Sequence, residues 1–113
     1  MKRGIIKKLE VKFYATGQGR EPVRLWLKEL KKEDKKVIGE DIKTVQFGWP
    51  LGMPLVRNLE KGLSDLKGER IARVIFFMAS NTMILVHGFI KKSQKTPQLE
   101  LEIARKRKKQ FEI

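Results

Sequence analysis

Two largely apolar runs, Arg70 to Ala79 and Met83 to Ile90, are separated only by Ser80-Asn81-Thr82. Runs of this length rich in Val, Ile and Phe read as strands. A polar link this short closes them into an antiparallel hairpin. The second run then breaks into a loop carrying Lys91, Lys92 and Lys95, after which Thr96-Pro97 opens a helix. Three like charges in a tight turn repel each other. The turn makes sense if something anionic comes to sit beside it.

The other elements follow from periodicity. Leu9, Val11 and Phe13 alternate within residues 5 to 15, which reads as a half-buried strand ended by Gly17 and Gly19. Pro22 suits the first turn of a helix. Val23, Trp26, Leu27 and Leu30 then recur at helical spacing. A second helix runs from Glu33 to Phe47 on the stripe Ile38, Ile42 and Val45, with Gly39 as a weak point. Residues 48–54 hold two Gly and two Pro and form a loop, from which Trp49 and Met53 cap the core. A strand from Val56 to Lys67 is interrupted at Lys61-Gly62. The last helix spans Pro97 to Phe111, with Thr96 as N-cap. Its early Glu100 and Glu102 and its late basic residues match the helix dipole. The order strand, helix, helix, three strands, helix predicts one α+β domain over residues 1–113. It has a mostly antiparallel sheet with a helical pair on one face.

Charge narrows the partners. Lys and Arg total 26 against 13 acidic residues, a formal charge of +13. A polyanion such as RNA or DNA is the leading partner, then an acidic protein, then a membrane surface. The absence of Cys excludes a disulfide framework and a thiolate metal site, and a single His excludes a His-cluster metal site. No apolar run has the length of a membrane span and the N-terminus lacks a signal-peptide core, so the cytoplasm is expected. No glycine pattern has phosphate-loop or dinucleotide spacing, and no carboxylate pair stands out. No metal or cofactor is expected.

What remains is a cationic set: Lys67, Arg70, Arg73, Lys91, Lys92 and Lys95. Arg73 shares a strand face with Ile75 and Phe77. A charge there is costly unless it is paired, for instance with Asp65 or Glu69, or reaches a cleft as a phosphate clamp. Lys67 and Arg70 flank the turn Gly68-Glu69. His87, on period two, shares a face with Leu85 and Phe89 and reads as a hydrogen-bonded structural residue. The run Arg105-Lys-Arg-Lys-Lys109 is either a nucleic-acid backbone contact or a solvated helix end. RNA cleavage would use such a set. Arg supplies donors for a dianionic phosphorane, and a Lys crowded by cations exchanges protons nearer neutrality.

The C-terminal half resembles the HigB branch of the RelE/ParE toxin superfamily, including phage-derived members. The resemblance rests on Gly62-Leu-Ser-Asp-Leu-Lys67, Arg73-Val-Ile-Phe-Phe77, His87-Gly-Phe-Ile-Lys-Lys-Ser-Gln-Lys-Thr-Pro97 and Glu102-Ile-Ala-Arg105. It implies a RelE-like fold: N-terminal strand, helical hairpin, three-stranded antiparallel meander and C-terminal helix. It also implies a type II toxin: an endoribonuclease that cleaves mRNA in the ribosomal A site, on the small subunit, by metal-independent 2′-hydroxyl attack. A helix-turn-helix antitoxin of the HigA type would control it and carry it to operator DNA. By motif, Arg73 looks like the phosphate-stabilising arginine, and Lys67, Lys91, Lys92 and Lys95 complete the catalytic set. Arg70, Arg105, Lys106, Lys108 and Lys109 would contact RNA. Ala72 stands where an aromatic often precedes the arginine, and the last helix has no Tyr, so the resemblance assigns no general base. Alternative readings are a ParE-like gyrase inhibitor and a non-catalytic nucleic-acid-binding phage protein.

Overall fold

The computed structural model describes residues 9–48, 55–66, 71–92 and 95–112. Its elements are β1 (Glu10–Phe13), α1 (Pro22–Lys28), α2 (Lys32–Gly48), β2 (Val56–Glu60), β3 (Leu63–Leu66), β4 (Ala72–Ala79), β5 (Thr82–Ile90) and α3 (Gln98–Glu112). They build one five-stranded sheet in the order β1-β5-β4-β3-β2. The fold is α+β and RelE-like. β2 to β5 form an antiparallel meander, and β1 closes the sheet by pairing in parallel with β5. The interruption expected at Lys61-Gly62 is a hairpin turn, so the segment contributes two strands. Gly62 has φ +83, a left-handed conformation that glycine adopts without a Cβ penalty.

Alternation along the strands sorts the side chains between two layers. Ala72, Val74 and Phe76 of β4 join Met83 and Leu85 of β5 beneath the helical pair, where Val23, Ile38 and Val45 meet them. Ile75, Phe77, Ile84, Val86 and Phe89 lie on the other face with Ala104 of α3. Pro22 opens α1 as expected, after Glu21 in extended conformation. Trp26 lies flat over Gly88: a Cβ built there would stand 2.2 Å from Trp26 Cε3. That contact explains a glycine in the middle of a nine-residue buried strand.

Two expectations are corrected. The first concerns β5. Ile75 pairs with His87 but Phe76 pairs with Leu85, so Val86 is an extra residue on β5. This bulge breaks the period of two. Leu85 stays under the helical pair, whereas His87 turns to the α3 face with Phe89. The second concerns Thr96. The first helical bonds of α3 run to the Pro97 carbonyl, and the Thr96 hydroxyl accepts a bond from Arg57 at 3.0 Å instead of capping the helix. Trp49, Met53, Lys67 and Arg70 lie outside the described residues. Among the described residues no helix is long and apolar enough to cross a membrane.

Candidate active site

Charge collects on the α3 face of the sheet, at the end where β4 begins and β5 finishes. Arg57 of β2 is opposite Asp65 of β3, and Asp65 is opposite Ile75 of β4, two residues from Arg73 on the same face. Arg73 is opposite Phe89 of β5. Lys91 follows the last residue of β5, two positions after Phe89, and its amide donates to the Ile71 carbonyl at 2.8 Å. Alternation places Arg57, Asp65, Arg73, Phe89 and Lys91 on one face.

The row is dry. Asp65 is fully buried, and Arg73 and Lys91 retain 9% and 8% of their exposure. Arg57 Nη2 joins Asp65 Oδ2 at 3.2 Å and, from the same nitrogen, Thr96 Oγ1 at 3.0 Å. This ties the far end of the lysine loop to the row. Asp65 Oδ1 has no hydrogen-bond partner among the described residues, so the carboxylate keeps acceptor capacity. Arg73 Nη1 donates to the Ala72 carbonyl at 3.3 Å. Burial pushes the Arg73 guanidinium below its ordinary value. Asp65 opposes that shift and Arg57 adds to it. Desolvated cations beside one another favour the arrival of an anion.

A second group adjoins the row through Phe89. The His87 ring stacks on the Phe89 ring, with centroids 5.8 Å apart and 14° between planes. His87 Nε2 is 2.5 Å from Glu100 Oε1 in the first turn of α3. Two helical turns on, Arg107 Nη1 donates to the Val86 carbonyl at 2.7 Å and lies 3.4 Å from His87 Nδ1. An arginine N–H can only donate. The Nδ1 side therefore carries the lone pair and Nε2 donates to Glu100. Burial lowers the His87 pKa most, Glu100 raises it and Arg107 lowers it. The expected hydrogen bonding of His87 is what the geometry shows. Tyr14 adds a further tie to α3, donating to Gln110 Oε1 at 2.5 Å.

The expected site residues separate into groups. Arg73 and Lys91 share the buried row, while Lys92 and Lys95 are exposed on the loop that leaves it. Arg105 is held by Glu60 through three contacts of 2.7 to 3.1 Å, and Lys108 pairs with Glu112 at 2.9 Å. Lys106 and Lys109 are exposed. The basic tail is thus divided, with Arg107 turned inward to β5. Sequence reasoning missed Arg57, Glu100 and Arg107. The seven-residue spacing of Glu100 and Arg107, which puts both on one helix face, was the one available signal. Among the described residues no group of acidic or His side chains could hold a metal ion.

The profile of the family described as phage-derived protein Gp49-like (DUF891) matches residues 25–109. Comparison with curated proteins gives no match. The matched span runs from within α1 to within α3, about three quarters of the chain, and includes every charged residue of the row; the chain is a member of the Gp49-like family, a RelE/HigB-like family of toxin-like, phage-derived proteins.

Proposed function

We propose that this protein is the toxin of a type II toxin-antitoxin system, of the HigB kind, and cleaves mRNA on the ribosome. The observation that carries the reading is the buried row itself. Arg73 shares a sheet face with Lys91 at the mouth of the lysine loop, beside a fully buried Asp65. In the reaction, the 2′-hydroxyl oxygen of one nucleotide attacks the adjacent phosphorus and the 5′-oxygen leaves. Arg73 donates to the non-bridging oxygens as their charge grows. Lys91, Lys92 and Lys95 surround the phosphate with positive charge, and an ammonium among them protonates the departing 5′-oxygen. The 2′-hydroxyl is the nucleophile, so no metal-bound water is needed. The ribosomal A site would hold the mRNA in the attacking geometry, which a small basic protein cannot impose alone. Lys106 and Lys109 would contact flanking phosphates, and Lys67, Arg70, Arg105 and Lys108 are the further cations proposed for RNA contact. A HigA-type helix-turn-helix antitoxin is the expected inhibitor and would bring the pair to operator DNA.

Sequencing of transcript 5′ ends after a brief pulse of expression tests this reading. Cuts linked to codon frame are expected, and Arg73→Ala should lower their frequency by about 10²-fold or more. Intact transcripts accompanied by DNA damage would instead identify a gyrase inhibitor. Intact transcripts with no damage would leave a binding protein without activity.

A further inference from the structure

The segment from Thr96 to Glu100 spans the row like a bar fixed at both ends. Thr96 is held by Arg57 of β2 and Glu100 by His87 of β5. Arg73 of β4 lies between those two strands. Glu100 is therefore a carboxylate placed at the edge of a cluster of cations, on the same sheet face as Arg73. The pair is graded from inside to outside. His87 is buried, with 11% of its side chain exposed, whereas the Glu100 side chain keeps 23%.

The rest of the geometry fixes protons. Arg107 faces Nδ1, which favours the tautomer that keeps its lone pair there and aims Nε2–H at Glu100. The bond from His87 to one oxygen of Glu100 orients the carboxylate. The bulge at Val86 is what turns His87 onto this face. Bulges are concentrated where a side chain must be re-aimed.

We propose that Glu100 is the general base of the cleavage reaction and that His87 is its positioning residue. This rests on the reading of the protein as an endoribonuclease. The Glu100 carboxylate takes the proton of the 2′-hydroxyl. The 2′-oxygen forms its bond to phosphorus, the bond from phosphorus to the 5′-oxygen breaks, and a lysine ammonium of the loop supplies the proton that the 5′-oxygen needs. The products are a 2′,3′-cyclic phosphate and a 5′-hydroxyl, with one proton taken and one given.

The test is single-turnover cleavage by the full chain on ribosomes programmed with a defined mRNA. Glu100→Gln should slow the reaction by about 10²- to 10³-fold and remove the acid limb of the rate–pH profile. Glu100→Asp should recover part of the rate and restore that limb. His87→Gln should lower the rate less and alter the same limb. A substrate whose leaving 5′-oxygen is replaced by sulfur needs no acid, so the Glu100→Gln defect should persist with it. If the sulfur substrate restores the rate, Glu100 acts on the leaving group and the base assignment is wrong. A Glu100→Gln rate within about threefold of wild type, in a protein that melts normally, also overturns it. Should Glu100→Gln unfold, the folded Glu100→Asp variant decides: a rate and pH profile identical to wild type contradict the inference. Failure of the wild-type protein to cut any mRNA is a different result and defeats the endoribonuclease reading itself.

Discussion

The two faces of the sheet are built by different rules. The buried side chains that β4 and β5 turn toward α1 and α2 are all apolar, from Val74 and Phe76 to Met83 and Leu85, and their neighbours are Val23, Ile38 and Val45. The face under α3 carries an equally buried patch of Ile75, Ile84 and Val86, but mixes it with Asp65, Arg73, His87 and Lys91. Burying charge costs more than burying a methyl group, so a chain selected only to fold would make both faces alike. The difference is what sets the α3 face apart as the candidate site.

Substitutions can break that contrast. The largest loss of stability should come from the apolar face. Phe76→Ala empties a fully buried site and should cost about 3–5 kcal/mol in denaturant unfolding. A loss under about 1 kcal/mol would mean that this face is loosely packed. Gly88→Ala should cost about 1–3 kcal/mol, because the new methyl meets the Trp26 ring and the strand or α1 must shift.

Acid sensitivity belongs to the other face. Burial holds the folded-state pKa of His87 below the ordinary value of 6.5. The unfolded chain therefore takes up this proton first. The stability His87 permits is intact above pH 6.5 and is lost as pH falls below that value. Melting temperature should drop between about pH 7 and pH 5, and His87→Gln should flatten that drop. An unchanged slope would show that Glu100 keeps the imidazole protonated in the fold. The smallest effect is expected at Arg105, whose pairing with Glu60 is solvent-exposed. Arg105→Ala should leave Tm within experimental error of wild type.

Much of the frame was legible from periodicity. The stripe Val23, Trp26, Leu27 and Leu30 and the stripe Ile38, Ile42 and Val45 both pack as read. Such stripes are strong because burial and helix geometry select the same positions. The hairpin at Ser80 to Thr82 was equally direct. What failed was local. The bulge at Val86 leaves no mark in composition, yet it decides which face His87 occupies. The cap assigned to Thr96 failed because a longer-range partner, Arg57, takes its hydroxyl. The site was only half visible for the same reason. Arg73 announces itself as a charge in an apolar strand, whereas Arg57, Glu100 and Arg107 look like ordinary surface residues until the sheet and α3 bring them together.

Convergence of Arg73 and Lys91 on one phosphodiester is the central claim, and a double-mutant cycle on the single-turnover cleavage rate tests it most directly. If both side chains act on the same phosphate, Arg73→Ala with Lys91→Ala should be little slower than Arg73→Ala alone. A double variant whose rate falls by the full product of the two single losses would show that the residues act independently, and would contradict the account.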